Sequence, residues 1–65
     1  GSALAVLNAA NEVAVERFLK QEISFIQITQ IVEEVLQKTS HKEVSSIEEL
    51  LEFDRQARIV ANKLC

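Results

Sequence analysis

Residues 7–19 form a stretch that is apolar on nearly all sides when it is drawn as a helix, at about 100° per residue. One side carries the larger side chains and is taken as the main apolar face: Leu4, Leu7, Ala14, Val15, Phe18 and Leu19. A second apolar side, formed by Val6, Ala10 and Val13, lies nearly opposite. A helix with this pattern is normally buried among several neighbours. The sequence therefore predicts a central helix around which the other elements pack.

Two asparagines, Asn8 and Asn11, fall within or beside the main apolar face of this helix. An unpaired amide buried in a core costs roughly 1–3 kcal/mol, so amides that point inward must bind a neighbour. The favoured interpretation is structural, with both amides tying a loop or a helix end to this helix. The alternative is an amide pair that contacts a ligand.

Composition predicts one small all-α domain over residues 1–65. Apolar residues make up 48% of the chain, with a single Gly and no Pro, Trp, Tyr or Met, which leaves little material for hairpin turns. A net charge of -3 argues against a nucleic-acid surface, and no apolar run reaches the roughly 20 residues of a membrane span. Cys65 is the only cysteine, so an internal disulfide is excluded. Gly1 and Ser2 fit a remnant of tag cleavage.

The periodic pattern predicts a three-helix bundle with helices over about 3–20, 25–38 and 46–63. Ser24 followed by Gln27 is a capping box that places the start of the second helix. Ser45 and Ser46 each have a glutamate three residues later, so the third helix has two overlapping starts. Both remain open from the sequence.

Asp54 is unusual in the third helix, because this charged residue lies close to the apolar stripe. It has two candidate partners. Arg58, four residues later, offers an ion pair worth about 0.2–0.5 kcal/mol if exposed. A contact with Asn8 or Asn11 would account for three awkward polar residues at once, and the three are predicted as structural polar residues.

No motif in the chain predicts a catalytic, cofactor-binding or metal-binding residue. The glutamates at 33–34 and 48–52 lie on the polar sides of their helices, away from any apolar wall that would raise a carboxyl pKa. His41 has no histidine or cysteine at a metal-ligand spacing and is predicted to be a solvated loop residue.

Three segments, in order, resemble the C-terminal helical domain of the 1-deoxy-D-xylulose 5-phosphate reductoisomerases. The first is the Asn-Ala-Ala-Asn-Glu run at 8–12 with its apolar flanks at 5–7, 13–15 and 18–19. The second spans 23–36 and the third 44–61. The resemblance covers nearly the whole chain apart from Gly1 and Ser2.

The resemblance implies a non-catalytic domain of a longer enzyme. The parent would convert 1-deoxy-D-xylulose 5-phosphate to 2-C-methyl-D-erythritol 4-phosphate with NADPH and a divalent metal, Mg²⁺ or Mn²⁺, in isoprenoid biosynthesis. The NADPH-binding and catalytic domains of the same chain would be the partners, in the bacterial cytoplasm or in a plastid. None of those domains' motifs lies here, so no catalytic residue is carried over.

In that family a further helix precedes the asparagine run, which makes this chain three helices of a four-helix domain. The absent helix is expected to cover the side formed by Val6, Ala10 and Val13, and self-association through this side is a second expectation. A free-standing helical protein-interaction module is the alternative function. An upstream reading frame of several hundred residues would distinguish the domain from the module.

Overall fold

The computed structural model describes residues 2–39 and 44–64, and within them it contains three α-helices. These are α1 (Ser2–Leu19), α2 (Phe25–Lys38) and α3 (Ile47–Leu64). The prediction of an all-α, three-helix fold is confirmed, and each observed boundary lies within one residue of the predicted one. The predictions made for Gly1, His41 and Cys65 fall outside the described residues.

Side-chain caps fix where α2 and α3 begin. The backbone N–H of Ser24 donates to Gln27 Oε1 at 2.7 Å, which is the predicted glutamine half of the capping box. At α3 the backbone N–H of Glu49 donates to Ser46 Oγ at 3.2 Å, while the Ser45 hydroxyl donates to Glu49 Oε1 at 2.7 Å. Ser46 is therefore the N-cap of α3, and Ser45 supports it from outside the helix.

The end of α1 is a tight left-handed cap without a glycine. Gln21 has φ 63°; its N–H donates to the carbonyl of Phe18 at 2.9 Å, and the N–H of Glu22 donates to that of Arg17 at 2.9 Å. This pair of hydrogen bonds is the Schellman motif, in which glycine usually occupies the left-handed position. The motif reverses the chain toward α2.

The three helices run up, down and up, so α1 and α3 are parallel. Two side-chain contacts between them join residues 46 and 45 positions apart, Glu12 with Arg58 and Arg17 with Asn62. At the turn between α1 and α2, the rings of Phe18 and Phe25 meet edge to face with centroids 5.8 Å apart. Helix α1 packs against both other helices more extensively than they pack against each other. It is the central helix that the sequence predicted.

The core consists of small side chains. Its buried residues come from all three helices: Val6, Ala9, Ala10, Val13, Ala14, Ile31, Val32, Val35, Ala57 and Ala61. Five of these ten are alanines, which let helix backbones approach closely because they project only a methyl group into the interface. The largest apolar side chains of α1 are not among them.

The expectation that the side formed by Val6, Ala10 and Val13 is left uncovered is wrong. Val6 and Ala10 have no exposed surface and Val13 is 7% exposed, because α2 and α3 pack on this side. Leu4 and Leu7, which belong to the predicted main face, point outward instead. Because both sides of α1 are apolar, the sequence pattern identified two candidate faces and assigned the wrong one to the core.

None of the described helices combines the length and the apolar character that a bilayer-crossing segment needs.

Candidate functional site

The outward side of α1 exposes several large apolar side chains. Leu4 is 62% exposed and Leu19 is 73% exposed, and Leu7, Asn8 and Asn11 are exposed between them. Large apolar side chains gathered on one exposed face mark an interaction surface more often than chance scatter. We call this surface the outer face of α1.

A groove of about 410 Å³ continues the outer face onto α3. Its lining comes from the first halves of the two parallel helices: Leu4, Ala5, Asn8, Leu50, Leu51 and Asp54. Leu51 is 63% exposed at its rim. The groove exists because the parallel register brings the start of α1 beside the start of α3, where no core residue fills the space between them.

The structure places the three predicted structural polar residues in one region, but it does not bury the amides. Asn8 and Asn11 are exposed, so the premise that they point into the core is wrong. Asp54 is half-buried and shares the groove with Asn8. Among the hydrogen bonds of the described residues, none joins Asp54 to either asparagine, and its partner is Arg58, with Nε donating to Oδ1 at 2.6 Å.

Arg58 joins α3 to α1 through its second nitrogen. Its Nη2 donates to Glu12 Oε2 at 2.5 Å, so one guanidinium binds Asp54 on its own helix and Glu12 on the neighbouring one. The hydrogen bond that Arg58 donates to Asp54, followed by the one it donates to Glu12, raises the pKa of Arg58 above its already high ordinary range. The sequence predicted the Asp54 pair by its spacing, whereas the Glu12 pair depends on the register of two helices and had no signal in the sequence.

A second polar link secures the other end of the same interface. Arg17 Nη2 donates to Asn62 Oδ1 at 2.7 Å, and Arg17 Nη1 donates to Glu22 Oε1 at 2.8 Å. Asn62 in turn donates to the carbonyl of Arg58 at 2.9 Å. These contacts hold α1, the following turn and α3 in one arrangement. The rims of the outer face are thereby fixed.

Among the described residues, Glu52 on α3 is a carboxyl group whose pKa is shifted. Hydrogen bonds from Arg55 and Gln56 lower the pKa of Glu52, whereas a general acid at neutral pH needs a raised carboxyl pKa. No group of three His, Cys, Asp or Glu residues in the described ranges is placed to hold a metal ion. The arrangement of the described residues offers an apolar surface and a groove to a binding partner.

Fold and surface together define a small all-α domain with an exposed apolar outer face. Comparison with known sequences names the family. The chain belongs to the DXP reductoisomerase C-terminal domain family, whose model matches residues 1–60. This agrees with the resemblance carried by the asparagine run and the two segments after it.

Individual relatives agree with the family assignment. The chain is 51% identical over 59 residues to 1-deoxy-D-xylulose 5-phosphate reductoisomerase of Psychromonas ingrahamii, and 55% identical over 58 residues to that of Exiguobacterium sibiricum. These alignments cover 91% and 89% of this chain. The chain spans about 15% of the length of each of these relatives.

A solved structure shows the same helical arrangement. It is described as 1-deoxy-D-xylulose 5-phosphate reductoisomerase from Zymomonas mobilis in complex with NADPH. The superposition has a TM-score of 0.88 at 45% sequence identity and covers 92% of this chain and 16% of that one. The three helices described above are therefore the arrangement that this segment adopts within a much longer relative.

Proposed function

We propose that this chain serves as the non-catalytic C-terminal domain of a 1-deoxy-D-xylulose 5-phosphate reductoisomerase. Its role would be architectural, bracing the NADPH-binding and catalytic domains of the same polypeptide around their cleft. The observation that carries this proposal is the inverted distribution of apolar residues. Nine of the ten buried core residues among the described ones are alanines or valines, while Leu4, Leu7, Leu50 and Leu51 face outward. A surface of that kind is expected to be covered in the whole protein.

The chemistry of the whole enzyme is part of the same proposal. The parent would rearrange 1-deoxy-D-xylulose 5-phosphate and reduce the product with NADPH to give 2-C-methyl-D-erythritol 4-phosphate, in the cytoplasm of a bacterium or in a plastid. NADPH and the divalent metal, Mg²⁺ or Mn²⁺, would be held by the other domains. The described residues do not fit a divalent metal, because their acidic side chains are engaged with arginines or spread along helix faces, and the sequence contains no glycine-rich loop for the phosphates of NADPH.

The alternative function is a free-standing helical module that binds a partner helix in the groove beside Leu51 and Asp54. The same exposed surface serves both proposals. The enzyme domain is favoured because the chain aligns with about 15% of each much longer relative described above.

A domain exchange tests the proposal directly. The matching C-terminal segment of the Zymomonas mobilis enzyme is replaced by residues 2–64 of this chain, and NADPH oxidation is followed with substrate present. We expect the chimera to turn over, the enzyme truncated before this segment to lose activity or fail to fold, and the 65-residue chain alone to oxidise no NADPH.

A matched pair of variants in the chimera tests whether the outer face of α1 supports the activity of the enzyme, or whether the enzyme only tolerates the exchanged segment. Leu7→Glu places a charge on the outer face and is expected to lower the activity and the melting temperature of the chimera. Ile59→Glu places the same charge on α3, at a side chain that is exposed to a similar degree, 42% against 39%, and is expected to have little effect. Turnover by the isolated chain, or equal activity of both variants, would contradict the architectural role.

A further inference from the structure

The outer face of α1 has a pattern that is symmetric about its middle residue. Five residues at successive spacings of three, four, four and three positions fall within about 80° of one another on the helix surface; we call them the outer seam: Leu4, Leu7, Asn11, Val15 and Phe18. The first three are exposed and the last two are half-buried. This spacing is close to the 3.5-residue repeat with which two helices pack along a shared line.

The seam matches itself when a second copy runs in the opposite direction. Residue numbers opposite each other then sum to 22, so Leu4 lies opposite Phe18, Leu7 opposite Val15, and Asn11 opposite the Asn11 of the other copy. Four of the five layers are thus apolar on both sides. The central layer is an amide facing an amide, and because each amide carries both a donor and an acceptor, two of them can pair across a two-fold axis.

Charge does not oppose this pairing, although the chain has a net charge of -3. The seam itself contains no charged residue. Glu12, the carboxylate nearest the two-fold axis, is held by Arg58 on α3 at 2.5 Å. Arg58 also binds Asp54, so its one positive charge offsets one of these two carboxylates, and the remaining negative charge lies beside the uncharged seam.

The groove beside the seam supplies a place for the most exposed leucine of α1. Leu19, 73% exposed, lies within about 20° of Glu12 on the helix surface, and Glu12 contacts Arg58 of α3. In the antiparallel arrangement, Leu19 of the second copy comes opposite the first turn of α1, over the groove lined by Leu4, Leu50 and Leu51. The two-fold axis repeats this contact at the other end, so each copy contributes one leucine and one groove.

We propose that the free 65-residue chain forms an antiparallel two-fold dimer through the outer seam of α1, with Asn11 at the axis and Leu19 of each copy seated in the groove of the other. The occupant of this face is thus a second copy of the chain. This proposal concerns the free chain and is independent of the enzyme whose domain it represents. Self-association was expected through the side of α1 that contains Val6, but α2 and α3 cover that side. The proposed dimer uses the opposite side of α1.

Sedimentation equilibrium on the Cys65→Ser chain, up to about 1 mM, tests the association. We expect a monomer–dimer equilibrium that Leu7→Glu weakens by more than about tenfold. The matched control Ile59→Glu should leave it unchanged, and far-UV circular dichroism checks that both variants stay helical. A wild-type chain that remains monomeric throughout, or a dimer that Leu7→Glu leaves intact, overturns the proposal.

Cysteine cross-linking in the same Cys65→Ser background tests the orientation. Asn11→Cys is expected to form a disulfide dimer under mild oxidation, because the two copies of this residue meet at the axis. Leu4→Cys is expected not to, because its two copies lie about 21 Å apart along antiparallel helices. Efficient cross-linking of Leu4→Cys shows a parallel pair and overturns the proposed arrangement.

Discussion

Gln21 holds a left-handed backbone conformation that residues other than glycine disfavour. Its positive φ of 63° costs a non-glycine residue roughly 1–2 kcal/mol, whereas glycine adds about 0.5–1 kcal/mol of unfolded-state entropy. Gln21→Gly is therefore expected to stabilise the chain by about 0.5–1 kcal/mol. Urea unfolding measures the difference. Gln21→Ala, which removes the same side chain but keeps Cβ, is the control and should give no such gain.

Arg58 is the residue whose role depends most on a distant part of the chain. A double-mutant cycle between Arg58→Gln and Glu12→Gln should give a coupling free energy of about 0.3–1 kcal/mol, because both side chains are largely solvated. The coupling should shrink in 1 M salt, where the Debye length falls to about 3 Å. The exposed pair of Arg55 and Glu52 on α3 is the comparison within one helix. Additive effects of the two Arg58-cycle substitutions would mean that the contact does not stabilise the parallel register.

At the scale of the elements, the sequence determined the helices well and the packing side of α1 poorly. Capping residues such as Ser24 and Ser46 act within one turn, so their signals are local and the boundaries could be predicted. The choice of the core side of α1 depends on which neighbours arrive. The larger residues at Leu4 and Leu7 misled the assignment, because close packing against the alanines of α3 favours small side chains over large ones.

The inverted packing of α1 leads to a prediction that contrasts two of its residues. Val6→Ala removes two methyl groups from a fully buried position and should destabilise the chain by about 1.5–3 kcal/mol. Leu4→Ala removes more apolar volume, but from an exposed position, and should change the stability of the monomer by less than about 0.5 kcal/mol. Thermal unfolding at low protein concentration checks both. A larger loss of stability from Leu4→Ala than from Val6→Ala would instead place the predicted main apolar face of α1 in the core.

At the scale of the whole molecule, the candidate site was predictable only in part. Asn8, Asn11 and Asp54 stand out in the sequence as polar residues in apolar surroundings, and the structure does place Asn8 and Asp54 in one groove. Leu50 and Leu51, which complete that groove, look like ordinary core residues of α3. Both are exposed in the structure, and a pattern within one sequence cannot show which apolar residues are left outside the core.

The proposal that the other domains hold the cofactor predicts how the free chain responds to NADPH. A ligand that binds only the folded state raises its stability in proportion to RT ln(1 + [L]/Kd), so a thermal melt reports binding without any need for turnover. The described residues offer NADPH neither an arginine free of a carboxylate partner nor, by sequence, a glycine-rich loop for its phosphates. We expect the melting temperature of the free chain to shift by less than about 1 °C at millimolar NADPH. The chimera used above is the positive control, because it retains the other domains of a relative that is described with NADPH bound. A shift that the free chain and the chimera share would move the cofactor site into this domain and contradict its architectural role.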